Sequence, residues 1–190
     1  MKKKIHVVMI LFIVLCATSV FGAQESRVTR EQSIRLTGFW SYKFTTLNGQ
    51  FGVLDGGGTR LMINRSIIIG LGGYKSIEGP RVDEWYLQMG YGGIWTEYVF
   101  NSFSLLHFSV GGLVGAGGVG YTNKSIDETY ISGMFILEPE AYITVNVTEF
   151  LRFSVGGSYR LGLGITDVPG IDNNDVSGFS GTVLLRLGGF

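Results

Sequence analysis

The sequence predicts an all-β protein that folds as an eight-stranded antiparallel up-and-down transmembrane β-barrel. The first observation is that apolar and polar residues alternate over long segments, which is typical of strands with one apolar face. The second is composition: 30 of the 190 residues are glycine, 3 are proline, and 16% are charged, whereas soluble domains carry about 25% charged residues. The third is that the connections between segments alternate between short and long, as in outer-membrane barrels.

The N-terminal segment has the composition of a secretory signal peptide. Three lysines precede an apolar run that ends in small residues, and Val20 and Gly22 suit the −3 and −1 positions of a cleavage site. We expect a cleaved signal peptide over 1–22, a short N-terminal extension over 23–33 and the barrel over 34–190. The only cysteine of the chain lies in the signal peptide, so disulfide and thiol chemistry are excluded from the mature protein.

Eight segments of the mature chain have the pattern of a strand and none has the pattern of a helix. Segments of 11 or more residues exceed the usual globular strand of about 5–6 residues and suit a tilted span of a bilayer. The predicted strands are 34–47, 50–62, 66–76, 85–99, 104–121, 130–146, 150–165 and 176–190. Asn48 and Gly49 form a hairpin turn, and the longer polar connections are 77–84, 122–129 and 166–175.

The alternation also predicts which face of each strand points outward. Along 150–165, large apolar residues alternate with Arg152, Ser154, Ser158 and Arg160. A soluble barrel would bury the apolar face, but the other face is here too small and too charged to form an apolar core. Glycine suits the inside of a narrow barrel, where bulky side chains on every strand would not fit. We therefore predict that the apolar face contacts lipid, with aromatic residues near both ends of the strands.

The same alternation places a group of charged residues inside the barrel. A charge inside a narrow barrel is costly unless it is paired. The near balance of signs predicts a salt-bridge network that fills the lumen, with solvated residues near the rims as the alternative. The predicted network consists of Lys43, Arg60, Glu97, Glu138, Glu140, Arg152, Arg160 and Arg186.

Three details of this prediction depend on register. Counting across a turn near Thr148 places Glu138 opposite Ser158 and within reach of Arg160. The DGGG segment at 55–58 predicts a bulge, which leaves the facing of Asp55 open. Pro139 predicts a local interruption of the sheet, because proline cannot donate a ladder hydrogen bond.

Candidate catalytic and ligand-binding motifs are weak. The GAGGVG segment at 115–120 fits a nucleotide-binding pattern, but it lies within a strand and no helix follows it. Glu138 and Glu140 share a face and could act as a carboxylate pair, although the neighbouring arginines favour a structural role. His107 lies near the short turns. No group has metal-ligand spacing, so we predict no enzyme activity, no cofactor and no metal.

Together these features resemble the small eight-stranded outer-membrane barrels of the OmpA/OmpX type, in their barrel domain only. The signal peptide, the eight amphipathic strands and the terminal VLLRLGGF segment carry the resemblance. It implies a monomer in the lipid of the bacterial outer membrane. It also implies that Phe190 is read by the barrel-insertion machinery. Strict alternation from Val183 and Leu187 would turn Phe190 inward, whereas a bulge at Gly188 and Gly189 would return it to the outer face.

Two classes of function follow from the sequence. The first is a non-enzymatic outer-membrane barrel with a largely plugged polar lumen and a structural, envelope or surface-interaction role, presenting its loops to an extracellular partner. The alternative is a narrow channel or a carrier for a small molecule, either a membrane pore or a lipocalin-like barrel. The net charge of zero gives no reason to expect a nucleic-acid partner.

Overall fold

A computed structural model describes residues 34–79, 81–82, 85–123 and 128–190. The predicted signal peptide and N-terminal extension lie outside the described residues. The elements are β1 (Ile34–Leu47), β2 (Gln50–Ile63), β3 (Ile67–Glu78), β4 (Arg81–Val82), β5 (Trp85–Phe100), β6 (Leu106–Asn123), β7 (Glu128–Asn146), β8 (Leu151–Leu163), α1 (Asn173–Val176) and β9 (Gly178–Gly188). Among these residues, no helix is long and apolar enough to cross a membrane.

The strands form one closed antiparallel sheet. Each long strand pairs with the next along the chain, and β1 pairs with β9 to close the barrel. The two-residue β4 only extends the edge of β5, so eight long strands make up the wall. At the first hairpin, Asn48 and Gly49 have φ values of 47° and 68°, the left-handed backbone that two-residue hairpin turns need. The predicted fold class, an eight-stranded antiparallel up-and-down barrel, is confirmed.

The apolar faces of the strands lie on the outside of the barrel. On β7, Ile131 and Phe135 are 67% and 69% exposed, while Glu138 on the opposite face is fully buried. The other strands repeat this arrangement, because successive side chains of a strand point to opposite faces. Aromatic pairs lie near both ends of the wall, for example Trp85 with Tyr130 and Tyr98 with Phe100. The outer surface is therefore an apolar band with aromatic residues near its ends.

Aromatic rings and inward glycines fill the inside together. Phe39 packs edge-on against Trp95, with ring centroids 4.9 Å apart, and Tyr74 lies 5.7 Å from the same ring system. Glycine is required beneath some of these rings: a Cβ at Gly56 would collide with the Tyr74 ring. The rings lie against bare backbone, which lets a narrow barrel hold large side chains.

The long-loop end differs from the prediction in two respects. β6 and β7 extend into the predicted connection 122–129, so the loop between them is shorter than expected. The connection 166–175 contains most of α1, which was not predicted because four residues are too few to establish a helical period. Asp172 and Asp175 form a capping box at its start, and this acidic pattern is a local signal for the helix.

Register corrects two of the expectations. The β1–β2 ladder runs without interruption through 55–58, so the bulge predicted there is absent, and the irregularity lies between Val53 and Leu54 in the β2–β3 pairing. Asp55 pairs with Tyr42 on the outer face and accepts a hydrogen bond from Trp40 Nε1 at 2.5 Å. Its side chain is therefore not part of the lumen.

The β7–β8 ladder also differs from the simple count. Glu140 pairs with Ser158, whereas the count across the turn had assigned Ser158 to Glu138. The reason is that the turn is centred one residue later than assumed, with Val147 and Thr148 both donating to the carbonyl of Leu151. The β7–β8 ladder is interrupted at Glu138 and Pro139, as expected beside a residue without an N–H, whereas Pro139 pairs with Gly112 in the β6–β7 ladder.

Candidate functional site

The buried charges of the lumen form two clusters. The first, which we call the upper cluster, consists of Lys43, Glu138 and Glu140. The Lys43 ammonium lies 2.8 Å from Glu138 Oε1 and 2.6 Å from Glu140 Oε1, and all three side chains are fully buried. Because β1 and β7 are separated by β8 and β9 in the wall, these contacts reach across the lumen.

Tyrosines and a serine satisfy the remaining carboxylate oxygens of the upper cluster. Glu138 accepts hydrogen bonds from Tyr91 Oη and Ser158 Oγ, each at 2.7 Å, and Glu140 accepts one from Tyr142 Oη at 2.9 Å. A fully engaged, buried carboxylate pair has no face open to a substrate, so the geometry favours a structural role for the two glutamates. Within the described part of the chain, no group of three potential ligands could hold a metal ion.

The second cluster, the lower cluster, lies nearer the short turns and consists of Arg60, Glu97, Arg152 and Arg186. Arg60 Nη1 lies 3.0 Å from Glu97 Oε2, and Arg186 Nη2 lies 2.8 Å from Glu97 Oε1. Arg60 is also held between the rings of Phe39 and Trp95, at 4.0 Å from each. β5 and β9 stand on opposite sides of the barrel, so the Glu97–Arg186 contact spans its full width.

Arg152 and Phe190 meet at the short-turn end of the lumen. The Arg152 guanidinium lies 4.1 Å from the Phe190 ring centre. Phe190 is 7% exposed and packs with Met62, Ile68 and Val99. The alternation of inward and outward side chains thus continues to the last residue. Phe190 points into the lumen, so the expectation that a bulge returns it to the outer face is wrong. Recognition of Phe190 by the insertion machinery stays a prediction.

Arg160 has different partners from those predicted. Its Nε donates to the carbonyl of Val176 at 2.6 Å, and its Nη2 lies 3.3 Å from both Thr45 Oγ1 and the carbonyl of Thr46. The expected Glu138–Arg160 ion pair is wrong, because Lys43 reaches Glu138 from across the barrel. Counting between neighbouring strands cannot detect such a partner. Arg160 instead ties α1 to the upper rim of the lumen.

Sequence reasoning missed the aromatic side chains that surround these charges. Tyr91 and Trp95 are inward residues of β5 with the same parity as Glu97, and Tyr142 shares the parity of Glu140 on β7. The alternation itself therefore contained the signal, although the prediction assigned none of these three aromatic residues to the lumen. His107 is buried at the short-turn end, far along β6 from the long loops.

No protein-family model matches the chain, and no curated protein matches it. Among solved structures, the chain is similar to Neisserial surface protein A, with a TM-score of 0.59 and 13% identity over 81% of this chain and 96% of that one. It is also similar to the N-terminal β-barrel domain of Pseudomonas aeruginosa OprF, with a TM-score of 0.59 and 12% identity over 83% and 99% of the two chains.

A third similar structure is the attachment invasion locus protein Ail of Yersinia pestis. Its TM-score is 0.52 and its identity 12%, and the match covers 84% of this chain and 99% of that one. At this level of identity the likeness concerns the fold alone. It agrees with the closed eight-stranded sheet described above. The chain therefore has the fold of the small eight-stranded outer-membrane β-barrels.

Proposed function

We propose that this protein is a non-enzymatic barrel of the bacterial outer membrane whose polar lumen is closed, with a structural or surface-interaction role in the envelope. The observation that carries the proposal is the Glu97–Arg186 contact of 2.8 Å, which joins opposite strands through the middle of the barrel. Side chains that meet across the full width obstruct the lumen, which supports a barrel without a continuous path for water or solutes.

The outer surface supports the membrane location. A band of exposed leucine, isoleucine, valine and phenylalanine surrounds the wall, and a patch of this extent is costly in water. A closed barrel satisfies every backbone group of the wall internally, which a bilayer requires. The predicted signal peptide would export the chain, and the insertion machinery would then deliver it to the outer membrane as a monomer.

The long-loop end supports a role at the surface rather than in transport. α1 is fixed to the barrel by the Asp175 carbonyl, which accepts from the Asn48 backbone N–H at 2.7 Å, and by the Val176 carbonyl, which accepts from Arg160 at 2.6 Å. This segment offers a small ordered surface that an extracellular partner can contact. A narrow channel or a carrier would instead need an open or apolar cavity where the upper and lower clusters lie.

Fractionation and conductance test the proposal. The protein should appear in outer-membrane fractions and migrate differently on gels before and after heating, as folded barrels do. In planar bilayers the wild type should carry little or no steady current. A double variant, Glu97→Ala with Arg186→Ala, should conduct more, because it removes the contact that spans the lumen. Glu149→Ala, which changes an exposed residue in a turn, is the control. Large conductance steps of one size from wild-type protein would support the channel instead.

A further inference from the structure

The two clusters differ in their balance of charge. In the upper half of the lumen, Lys43 and Arg160 face Glu138 and Glu140, so the signs cancel. In the lower cluster, three arginines accompany the single carboxylate of Glu97. All four side chains of the lower cluster are at most 3% exposed. The lower cluster therefore holds more buried positive charge than its own acid can neutralise, which is costly in a poorly hydrated interior.

The pairing of the strands concentrates this excess at one point. Arg152 on β8 pairs directly with Arg186 on β9, and both side chains point into the lumen. Like charges directly opposite each other on neighbouring strands repel. Glu97 contacts Arg186 but forms no ion pair with Arg152, and no described acidic residue does. The face of the Phe190 ring lies against the Arg152 guanidinium, 4.1 Å from the ring centre.

Unpartnered donors mark the same place. Nε and Nη1 of Arg152 and Nε and Nη1 of Arg186 are buried and have no hydrogen-bond acceptor among the described residues, as is also true of Nε and Nη2 of Arg60. Asn146 Oδ1, on the β7 residue that pairs with Arg152, is a buried acceptor that also has no partner among the described residues. A buried guanidinium N–H without an acceptor costs more than an ordinary lost hydrogen bond.

We propose that the lower cluster is a binding site for one small inorganic anion of the halide class, held between Arg152 and Arg186 inside the short-turn end of the lumen. An anion there would offset the excess charge, separate the two facing guanidinium groups and accept from their free N–H groups. The narrow barrel favours a small ion over a large oxyanion. This site goes beyond the proposed function, since a closed lumen could exist with or without a bound ion.

The first test measures stability as a function of the anion. Wild-type protein is refolded in vesicles and unfolded with urea in sodium chloride or in sodium gluconate at the same ionic strength. We expect the midpoint of unfolding to rise with chloride concentration and then saturate, as for a ligand that binds only the folded state. Because sulfate stabilises folded proteins in general, it is compared through the difference in midpoint between wild type and Arg152→Met, which should be smaller in sulfate than in chloride.

Variants of the same protein distinguish binding from general salt effects. Arg152→Met should lose the chloride-dependent shift and, in gluconate, should unfold at a higher urea concentration than wild type, since it removes the excess charge. Lys75→Met, on the outer face, should keep the full shift. An equal response to chloride in wild type and Arg152→Met would overturn the proposal. Wild-type unfolding at the same urea concentration in chloride and in gluconate would also overturn it, and would mean that water alone satisfies these donors.

A second measurement does not depend on the variant folding. Crystals of the wild-type protein grown or soaked in sodium bromide should show an anomalous peak between Arg152 and Arg186. The absence of a peak there, with bromide seen elsewhere in the same crystal, would contradict the assignment. Conductance distinguishes this proposal from the proposed function. An anion-selective current would refute the closed lumen but not the anion site. The absence of current, together with no effect of halide on the unfolding midpoint, would refute only the anion site.

Discussion

Replacing Lys43 with methionine is the most direct test of the upper cluster. The side chains are similar in length, so the change removes the positive charge while leaving much of the packing in place. Glu138 and Glu140 would then be two neighbouring buried carboxylates without the cation that lies within 2.8 Å of each. Buried charges in this situation either destabilise the folded state or take up a proton.

The expected loss follows from what remains at each carboxylate. Breaking a buried ion pair by removing one partner costs about 3–5 kcal/mol. Glu138 keeps its hydrogen bonds from Tyr91 and Ser158, and Glu140 keeps the one from Tyr142. We therefore expect Lys43→Met to lower the free energy of unfolding by about 3 kcal/mol, towards the low end of that range.

A double-mutant cycle isolates the interaction itself. Glu140→Gln alone should cost little, because Lys43 keeps Glu138 as its partner. In the Lys43→Met background the same change should be favourable, since it removes one of two unpaired charges, and the coupling should be about 1–3 kcal/mol. Urea unfolding in lipid vesicles measures each variant, with Lys75→Met as a control that changes a lysine on the outer face. A coupling below about 0.5 kcal/mol would show that these residues are solvated and that our description of the lumen is wrong.

Two further predictions concern the wall. Ile94 is 56% exposed in the middle of β5, so Ile94→Arg should lower the free energy of unfolding in vesicles by about 2–4 kcal/mol. Phe103→Arg, in a short turn, should lower it by about 0–1 kcal/mol. Equal costs for the two variants would refute the assigned lipid face. Gly156→Ala should destabilise the barrel or prevent its refolding, because a Cβ there would collide with the Tyr142 ring. In the control Gly181→Ala, the added Cβ meets no atom within 4 Å, so this variant should refold normally. Gel mobility before and after heating measures both variants, and normal refolding of Gly156→Ala with failure of Gly181→Ala would contradict the described packing.

The sequence predicts the wall of this barrel well because the wall depends on local alternation. Parity alone assigned Lys43, Glu138 and Arg186 to the inside, and these side chains are buried there. It also put Phe190 inside, although the resemblance to other barrels suggested a bulge that would reverse it. Successive side chains of a strand always point to opposite faces, so the face of each residue can be predicted without knowing which residues it contacts in the folded barrel.

Partners inside the lumen could not be predicted in the same way. The partner of Glu138 is on β1, far away in sequence, and depends on barrel diameter, strand tilt and the reach of each side chain. An error of one residue in the centre of the β7–β8 turn was enough to misalign Glu140. α1 was missed for another reason, since its four residues are specified by a cap rather than by a repeating pattern.

The pairing of β1 with β9 has a consequence for how the protein is made. The ladder from Thr37 and Gly188 to Thr45 and Ser180 joins the two ends of the barrel sequence, so the contacts of highest sequence separation are also the ones that complete the wall. Until they form, two rows of backbone N–H and C=O groups face hydrocarbon with nothing to bind, an arrangement that a bilayer does not tolerate. We therefore expect entry into the membrane and closure to occur together, and the pairing of the last strand with the first is a long-range step that slows assembly.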